Sequence, residues 1–281
     1  MKTFNLTNKV VMATMVFSLL FTACTDLGSD NQESDTTGYV ELVLSTDADN
    51  AIAVMDDIAF EVYNEQESTD SSRLNSSFNS LPDCVTITLL AEQNSRELTL
   101  DFGTEGCLVH GNVLKGIMVL SWERDPEAME VLITQTLDNF YFNEKNILGG
   151  KTILRELSNE NDNPQATHSI DYTIIWPNGA EASRGGVVVR EWVEGFGSGV
   201  WSDNVFEITG YWTTNFVNGN THTYEVIIPL RREVICYYFV SGSVNIEWTN
   251  VSGVLDYGEG PCDNLATFTF STGEVIDINL N

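Results

Sequence analysis

From Cys84 onward the chain alternates apolar and polar residues with a period of two. That pattern confines most of it to β-strands with one packed face and one wet face. Val85, Ile87 and Leu89 alternate with Thr86 and Thr88, and Leu98, Leu100 and Phe102 with Glu97, Thr99 and Asp101. The same beat returns in Tyr172-x-Ile174-x-Trp176, Phe206-x-Ile208-x-Gly210, Tyr224-x-Val226-x-Ile228-x-Leu230 and Ala266-x-Phe268-x-Phe270. Gly149-Gly150, Asn178-Gly179, Gly185-Gly186 and Asn218-Gly219 punctuate these runs as turn signals. No helical crossover separates them, so the strands should be antiparallel. The expected fold is mainly β, an antiparallel sandwich or large curved sheet with one short N-terminal helix. That helix is expected over Asp47 to Gln66, where Ile52, Met55, Ala59 and Val62 form one stripe and Asp47 or Asp49 can cap the start. Asp56 and Asp57 sit mostly off the stripe and read as a solvated face.

Four cysteines follow residue 80: Cys84, Cys107, Cys236 and Cys262. An internal echo chooses among their three pairings. Asp101-Phe102-Gly103-Thr104-Glu105-Gly106-Cys107 matches Asp256-Tyr257-Gly258-Glu259-Gly260-Pro261-Cys262 as Asp, aromatic, Gly, then Cys six residues after the Asp. Each copy has another cysteine upstream, 23 residues before Cys107 and 26 before Cys262. The repeat predicts disulfides Cys84–Cys107 and Cys236–Cys262 in two related units.

The N-terminus gives an address. Lys2 and Lys9 precede a 13-residue uncharged run, Val10 to Thr22, which is too short to span a bilayer and ends at Phe21-Thr22-Ala23-Cys24. This resembles a bacterial lipoprotein box. The resemblance implies removal of residues 1–23 and acylation of Cys24, which then holds the chain to a lipid bilayer. Residues 24–38 are polar and acidic and read as a disordered tether. Acidic residues just past the cysteine resemble surface-export signals of Bacteroidota lipoproteins, which implies the outer membrane and the cell exterior. Residues 39–80 read as a short strand, the helix and a Ser/Asn-rich linker, and 81–281 as the β domain. The box, tether, helix and paired Asp-[Phe/Tyr]-Gly-x-x-x-Cys motifs together resemble uncharacterised flavobacterial-type lipoproteins, a likeness whose motifs are structural.

Cleavage before Cys24 leaves 11 basic against 41 acidic side chains, a formal −30. That balance excludes nucleic acid as a partner, since phosphates require a basic surface, and it disfavours anionic lipid. Residues 159–163 are rich in oxygen ligands but lack the Gly and terminal Glu of a helix-loop calcium site. His110, His168 and His222 show no zinc-ligand spacing and read as solvated. Ser198, in Gly-Phe-Gly-Ser-Gly, is misplaced for a nucleophile elbow. No motif calls for a cofactor.

Paired acids near tryptophans, Glu191 and Glu194 beside Trp192 and Asp125 and Glu127 near Trp122, are expected by chance among 41 acids. Trp192, Trp201 and Trp212 crowd one stretch with Phe196 and Tyr211, a composition suited to ligand binding, although Trp212 shares the phase of Phe206 and Ile208 and so belongs to a core. The expected protein is a non-enzymatic surface lipoprotein with an interaction or structural role. A glycan-binding module is the first alternative and a secreted glycoside hydrolase-like enzyme the second. A glycan or an envelope protein is the expected partner beyond the bilayer itself.

Overall fold

The structure, a computed structural model, describes residues 30–70, 81–123, 125, 127–249 and 251–280. The signal segment, Cys24, the tether as far as residue 29 and residues 71–80 of the linker lie outside them. One helix, α1 (Asp30–Asp70), precedes fourteen strands. On one half of the sheet these are β1 (Thr86–Glu92), β2 (Ser95–Asp101), β3 (Cys107–Val109), β4 (Asn112–Glu123), β5 (Glu130–Phe142), β6 (Lys145–Glu156) and β7 (Gln165–Ile175). The other half holds β8 (Glu181–Glu194), β9 (Val205–Phe216), β10 (Thr221–Glu233), β11 (Ser241–Trp248), β12 (Val251–Glu259), β13 (Leu265–Phe270) and β14 (Val275–Asn279). They form a single antiparallel sheet in chain order, with the short β3 paired only to β4. Of the two expected architectures the large sheet is the one observed, and there is no second layer of strands among the described residues.

The sheet must curve strongly. Side chains from β4 through β11 reach α1: Trp122 of β4 donates to Glu67, and the indole of Trp248 in β11 lies against Gly38. Eight neighbouring strands laid flat would span roughly 34 Å, against about 10 Å for a helix. They all meet one helix only by wrapping it. Tyr237, between β10 and β11, donates to Asn112 at the start of β4, so the two flanks of the sheet also meet each other. Along α1, successive partners advance up β6 (Lys145, Lys151, Arg155), up β8 (Arg184, Arg190) and down β7 (Trp176, His168), so the helix lies along the strands.

Enclosure explains two departures from expectation. From Glu41 to Glu67 no residue of α1 is exposed. The helix is therefore far longer than 47–66: the tether expected to be disordered is helical from Asp30, and residues 39–44, expected as a strand, are helix too. Their β-branched residues favour strands only weakly, and tertiary packing overrides so small a preference. Asp56 and Asp57, expected in solvent, are buried at 7% and 2% exposure. With strands on every side, lying off one apolar stripe no longer means facing water. Residues from Gly38 to the C-terminal strand cluster as one unit, so residue 81 does not separate two bodies.

The turn signals divide. Gly179 and Gly219 close tight hairpins, their N–H groups donating to Trp176 and Phe216 carbonyls at 2.9 Å. Gly149-Gly150 and Gly185-Gly186 lie inside β6 and β8 instead. There the glycines admit close strand approach, since a Cβ on Gly150 would sit 2.2 Å from the Gln135 carbonyl and one on Gly186 2.3 Å from that of Tyr211.

The repeat is reproduced in three dimensions. Asp101 Oδ1 accepts the Gly103 N–H at 2.8 Å and Asp256 Oδ1 accepts that of Gly258 at 2.8 Å, each glycine with positive φ (73° and 87°). Phe102 and Tyr257 between them are buried. Disulfides join Cys84 to Cys107 and Cys236 to Cys262 with Cα separations of 5.7 and 5.3 Å, within the ordinary range. Each unit thus closes a hairpin, β1–β2 at one end of the sheet and β11–β12 towards the other.

Candidate functional site

Two features of the interior carry chemistry: an ion-paired seam between α1 and the sheet, and an aromatic cavity beside it. The seam arises because period-two alternation places cations in the inward phase. Lys145, Lys151 and Arg155 share the buried face of β6 with Ile147 and Ile153. Arg184 and Arg190 occupy that of β8, and Arg232 that of β10. These are six of the 11 basic residues that follow Cys24, and each meets the helix.

Asp47 accepts Lys145 Nζ at 2.7 Å and Trp176 Nε1 at 2.8 Å. Asp49 pairs with Arg184, Asp56 with Lys151, and Asn64 accepts Arg155 at 3.4 Å. Asp57 takes Arg190 on Oδ1, and Arg232 on Oδ2 through Nε at 3.1 Å and Nη2 at 2.7 Å. Burial would raise the Asp57 carboxyl, but Arg232 and then Arg190 hold it below the usual range. At Asp49 burial prevails over Arg184 and pushes the carboxyl up to about 6.

Two of the three histidines expected in solvent are corrected here, while His110 is exposed. His168 and His222 are buried at 1% and 0% exposure, because they share the inward phase of Ala166 and Ile170 in β7 and of Tyr224 in β10. His168 Nδ1 lies 3.3 Å from both Lys151 Nζ and Asp56 Oδ2, and His222 Nε2 lies 2.7 Å from Glu41. Burial lowers both rings below their usual value, and it lowers Lys151 as well. Every member of the seam faces another member, which is the arrangement of a structural clamp.

The cavity, about 530 Å³, opens between α1 and the loop from Gly195 to Asn204. Trp192 and Trp201, two of the three tryptophans singled out from sequence, both line it; Trp212 does not. Trp212 stacks on Tyr224 with centroids 5.3 Å apart and carries the Arg184 guanidinium 4.9 Å from its ring, inside the core. Trp192 is a wall: its Nε1 donates to the Glu194 carbonyl and to Asn204 Oδ1, and its ring packs on Phe196, Trp201 and Phe206. Phe196, by contrast, is 54% exposed.

The helix supplies the opposite wall with Glu61, Asn64 and Glu65. Glu61 and Glu65 do not stand out in sequence, because two acids one helical turn apart within the expected helix, in a chain with 41 acids, form no motif. Burial, then the nearby charges of Glu65 and Asp57, push the Glu61 carboxyl up to about 8. Its Oε2 lies 3.4 Å from His110 Nε2, a ring that burial keeps below its usual value.

The other acids weighed from sequence lie elsewhere. Glu191 accepts Asn161 and Asn163, which with Asn159 hold it below the usual range, and Asn159 Oδ1 caps the 159–163 loop. Glu194 pairs with Arg231 at 2.8 Å, and Asp125 accepts the Glu127 N–H in a local turn. Ser198 is spent within its own loop, donating to Asp203 at 2.9 Å.

Glu61 supplies a stability test. Its folded value lies above its unfolded one, so the neutral carboxyl is what the fold accepts. That contribution is complete below about pH 4.5 and is lost as pH rises through about 8. Glu61→Gln should therefore match the native chain in thermal unfolding at pH 4 and exceed it increasingly toward pH 9, by about 3–5 kcal/mol. Equal melting temperatures at pH 9 would show that the carboxylate is not disfavoured there.

Comparison of the chain with family models, with curated proteins and with solved structures returns no match.

Proposed function

We propose that the chain is an exported lipoprotein, held by an acylated Cys24 in the outer membrane with its β domain facing the cell exterior, and that it works by binding at the Trp192–Trp201 cavity rather than by turnover. The observation that carries the anchor is Cys24 standing directly after the apolar run and Ala23. No described helix is long and apolar enough to cross a membrane, so the lipid would be the attachment. Two disulfides suit an oxidising compartment. Because the buried cations pair with enclosed acids of the helix, the outer surface keeps the strongly negative balance of the composition, which suits an exterior in water and opposes nucleic acid. Phe196 and Trp201, rather than the covered Trp192, are the rings available to a glycan or other ligand.

The test combines acyl-peptide mass spectrometry with protease shaving of intact cells. Native protein is expected to carry lipid on Cys24 and to lose its β domain to external protease, while Cys24→Ser is expected in the soluble fraction. An unmodified Cys24, or full protection from protease, would overturn the anchor or the orientation respectively.

A second reading, a glycoside hydrolase-like enzyme, is favoured by one observation: Glu61, raised to about 8, shares the cavity with Glu65, and a proton-holding carboxyl beside another acid is what general-acid cleavage needs. Glycan turnover abolished in Glu61→Gln would select it.

A further inference from the structure

We propose that Lys151 and Asp56 form a covalent modification site: in the folded chain the Lys151 amine and the Asp56 carboxyl condense to an amide that joins β6 to α1. This goes beyond the binding role proposed above and does not depend on it. The Lys151 side chain is 0% exposed, Asp56 is buried, and Nζ lies directly against Oδ1. His168 Nδ1 stands 3.3 Å from Nζ and 3.3 Å from Oδ2, so one ring nitrogen touches both the nucleophile and the oxygen that would leave. The other ring nitrogen, Nε2, has no hydrogen-bond partner among the described residues. Gln135, across from Lys151 on β5, is already used: its Oε1 accepts Tyr172 at 2.8 Å, and its Nε2 lies 3.0 Å from the Met118 sulfur. Across on β7 stands the apolar Ile170.

An amine attacks a carboxyl group only after shedding its proton. Burial, and then the Arg190 charge, lowers Lys151 well below its ordinary value. Burial, with Lys151 and Arg190 beside it, likewise keeps the His168 ring neutral and able to accept a proton. Moving the ammonium proton onto Asp56 turns the ion pair into a neutral amine and a carboxylic acid. Nζ then attacks Cγ. His168 Nδ1 takes a proton from Nζ and passes it to Oδ2, which leaves as water. One C–N bond forms, one C–O bond breaks, and water is the only other product. The step removes two buried charges, whose desolvation is costly, and reactants already held in contact have little orientational entropy left to lose. A cavity of about 50 Å³, lined by Asp56 and His168, adjoins the pair and can take the water.

Other acids of the seam meet groups less suited to this step. Asp49 and Asp57 face arginines, whose guanidinium groups keep their protons. Asp47 faces Lys145, but that pair is less deeply buried, and the second Asp47 oxygen is held by Trp176 Nε1 at 2.8 Å rather than by a base. Lys145 is therefore an internal control. The new bond would join positions 95 residues apart and fasten the helix to a strand flanked by β5 and β7, through a link that no reductant opens.

The experiment is mass spectrometry of the full mature chain, purified in detergent, denatured and with both disulfides reduced. Native protein is expected to weigh one water less than its sequence and any lipid on Cys24 require. Trypsin should cut after Lys145 but not after Lys151, and the digest should hold a branched peptide joining residues 146–155 to the segment that contains Asp56. Lys151→Arg is expected at the full mass, with no branched peptide. Asp56→Asn should give the same branched peptide, because ammonia leaves in place of water. His168→Gln is expected to slow bond formation about 100-fold, read as the unlinked fraction of freshly translated chain over time. A native chain at full mass and cut after Lys151 would overturn the proposal whether or not the variants fold, and so would a water loss traced to any other site. An unchanged rate in His168→Gln would overturn the proton relay.

Discussion

Asp57→Ala is expected to remove about 3–5 kcal/mol of folding stability, the largest loss of any single substitution in the helix. The reason is what it leaves behind. Asp57 is 2% exposed and answers two guanidinium groups at once. Without it, Arg232 keeps two hydrogen bonds at 2.8 Å, to the Cys236 and Tyr237 carbonyls. Arg190 keeps only ring contacts, its Cζ 3.8 Å from the Phe206 ring and 5.6 Å from that of Phe60, while its Nε and Nη1 already lack partners. Arg190 is therefore the orphan that sets the cost. For a domain of this size the loss lowers the melting temperature by roughly 6–20 °C. The rescue is specific: adding Arg190→Met should recover part of the loss, because removing a stranded charge is favourable where removing a contact is not. A double variant less stable than Asp57→Ala alone would show that packing, not charge, dominates. The pH sense follows from the lowered carboxyl, which supports the fold above about pH 3.8 and ceases to as pH falls through its folded value.

The strands could be read because alternation and turn chemistry are local. Leu98, Leu100 and Phe102 are buried on one face as their spacing demands, and so are Tyr172, Ile174 and Trp176. The cysteine pairing was legible for a different reason: the echoed Asp-aromatic-Gly puts the same side-chain-to-backbone turn in front of each second cysteine. The helix was not legible. An apolar stripe marks a surface helix with one covered face, and α1 has no uncovered face between Glu41 and Glu67. Its polar residues looked like solvent because their partners are 90 to 180 positions away, as Asp47 is from Lys145 and Glu41 from His222. One sequence cue did exist. Arg190 shares its strand phase with Trp192, and Lys151 with Ile153, so cations recur at inward positions of a chain with few cations to spend. The cavity was half legible for the same reason. Trp192 and Trp201 are neighbours in sequence, whereas Glu61 and Glu65 arrive from a helix more than 120 residues upstream.

The strands from residue 81 onward, made without α1, are expected not to fold. The inner face of the sheet would then expose Lys145, Lys151, Arg155, Arg184, Arg190 and Arg232 in a concave surface with no acids to answer them. It would also lose the burial of Leu42, Val54, Met55, Ile58, Phe60, Val62 and Tyr63. At about 1.5–3 kcal/mol for each large apolar side chain, that burial amounts to roughly 10–20 kcal/mol. The whole net stability of a domain is about 5–15 kcal/mol, so the sheet cannot survive the loss even though both disulfides remain within it. The measurement is circular dichroism and amide-proton dispersion of residues 81–281 alone, then with residues 38–70 added as a separate chain. Disorder alone and β structure on mixing would show that the helix is the missing half of one core. A sharp, dispersed spectrum from 81–281 alone would mean that the sheet closes on itself, with the helix only occupying a preformed channel. Because α1 follows directly on the segment proposed to leave the membrane, the first outcome would also tie the fold to its anchor. Tension on the tether would then pull on the element around which β4 to β11 are wound.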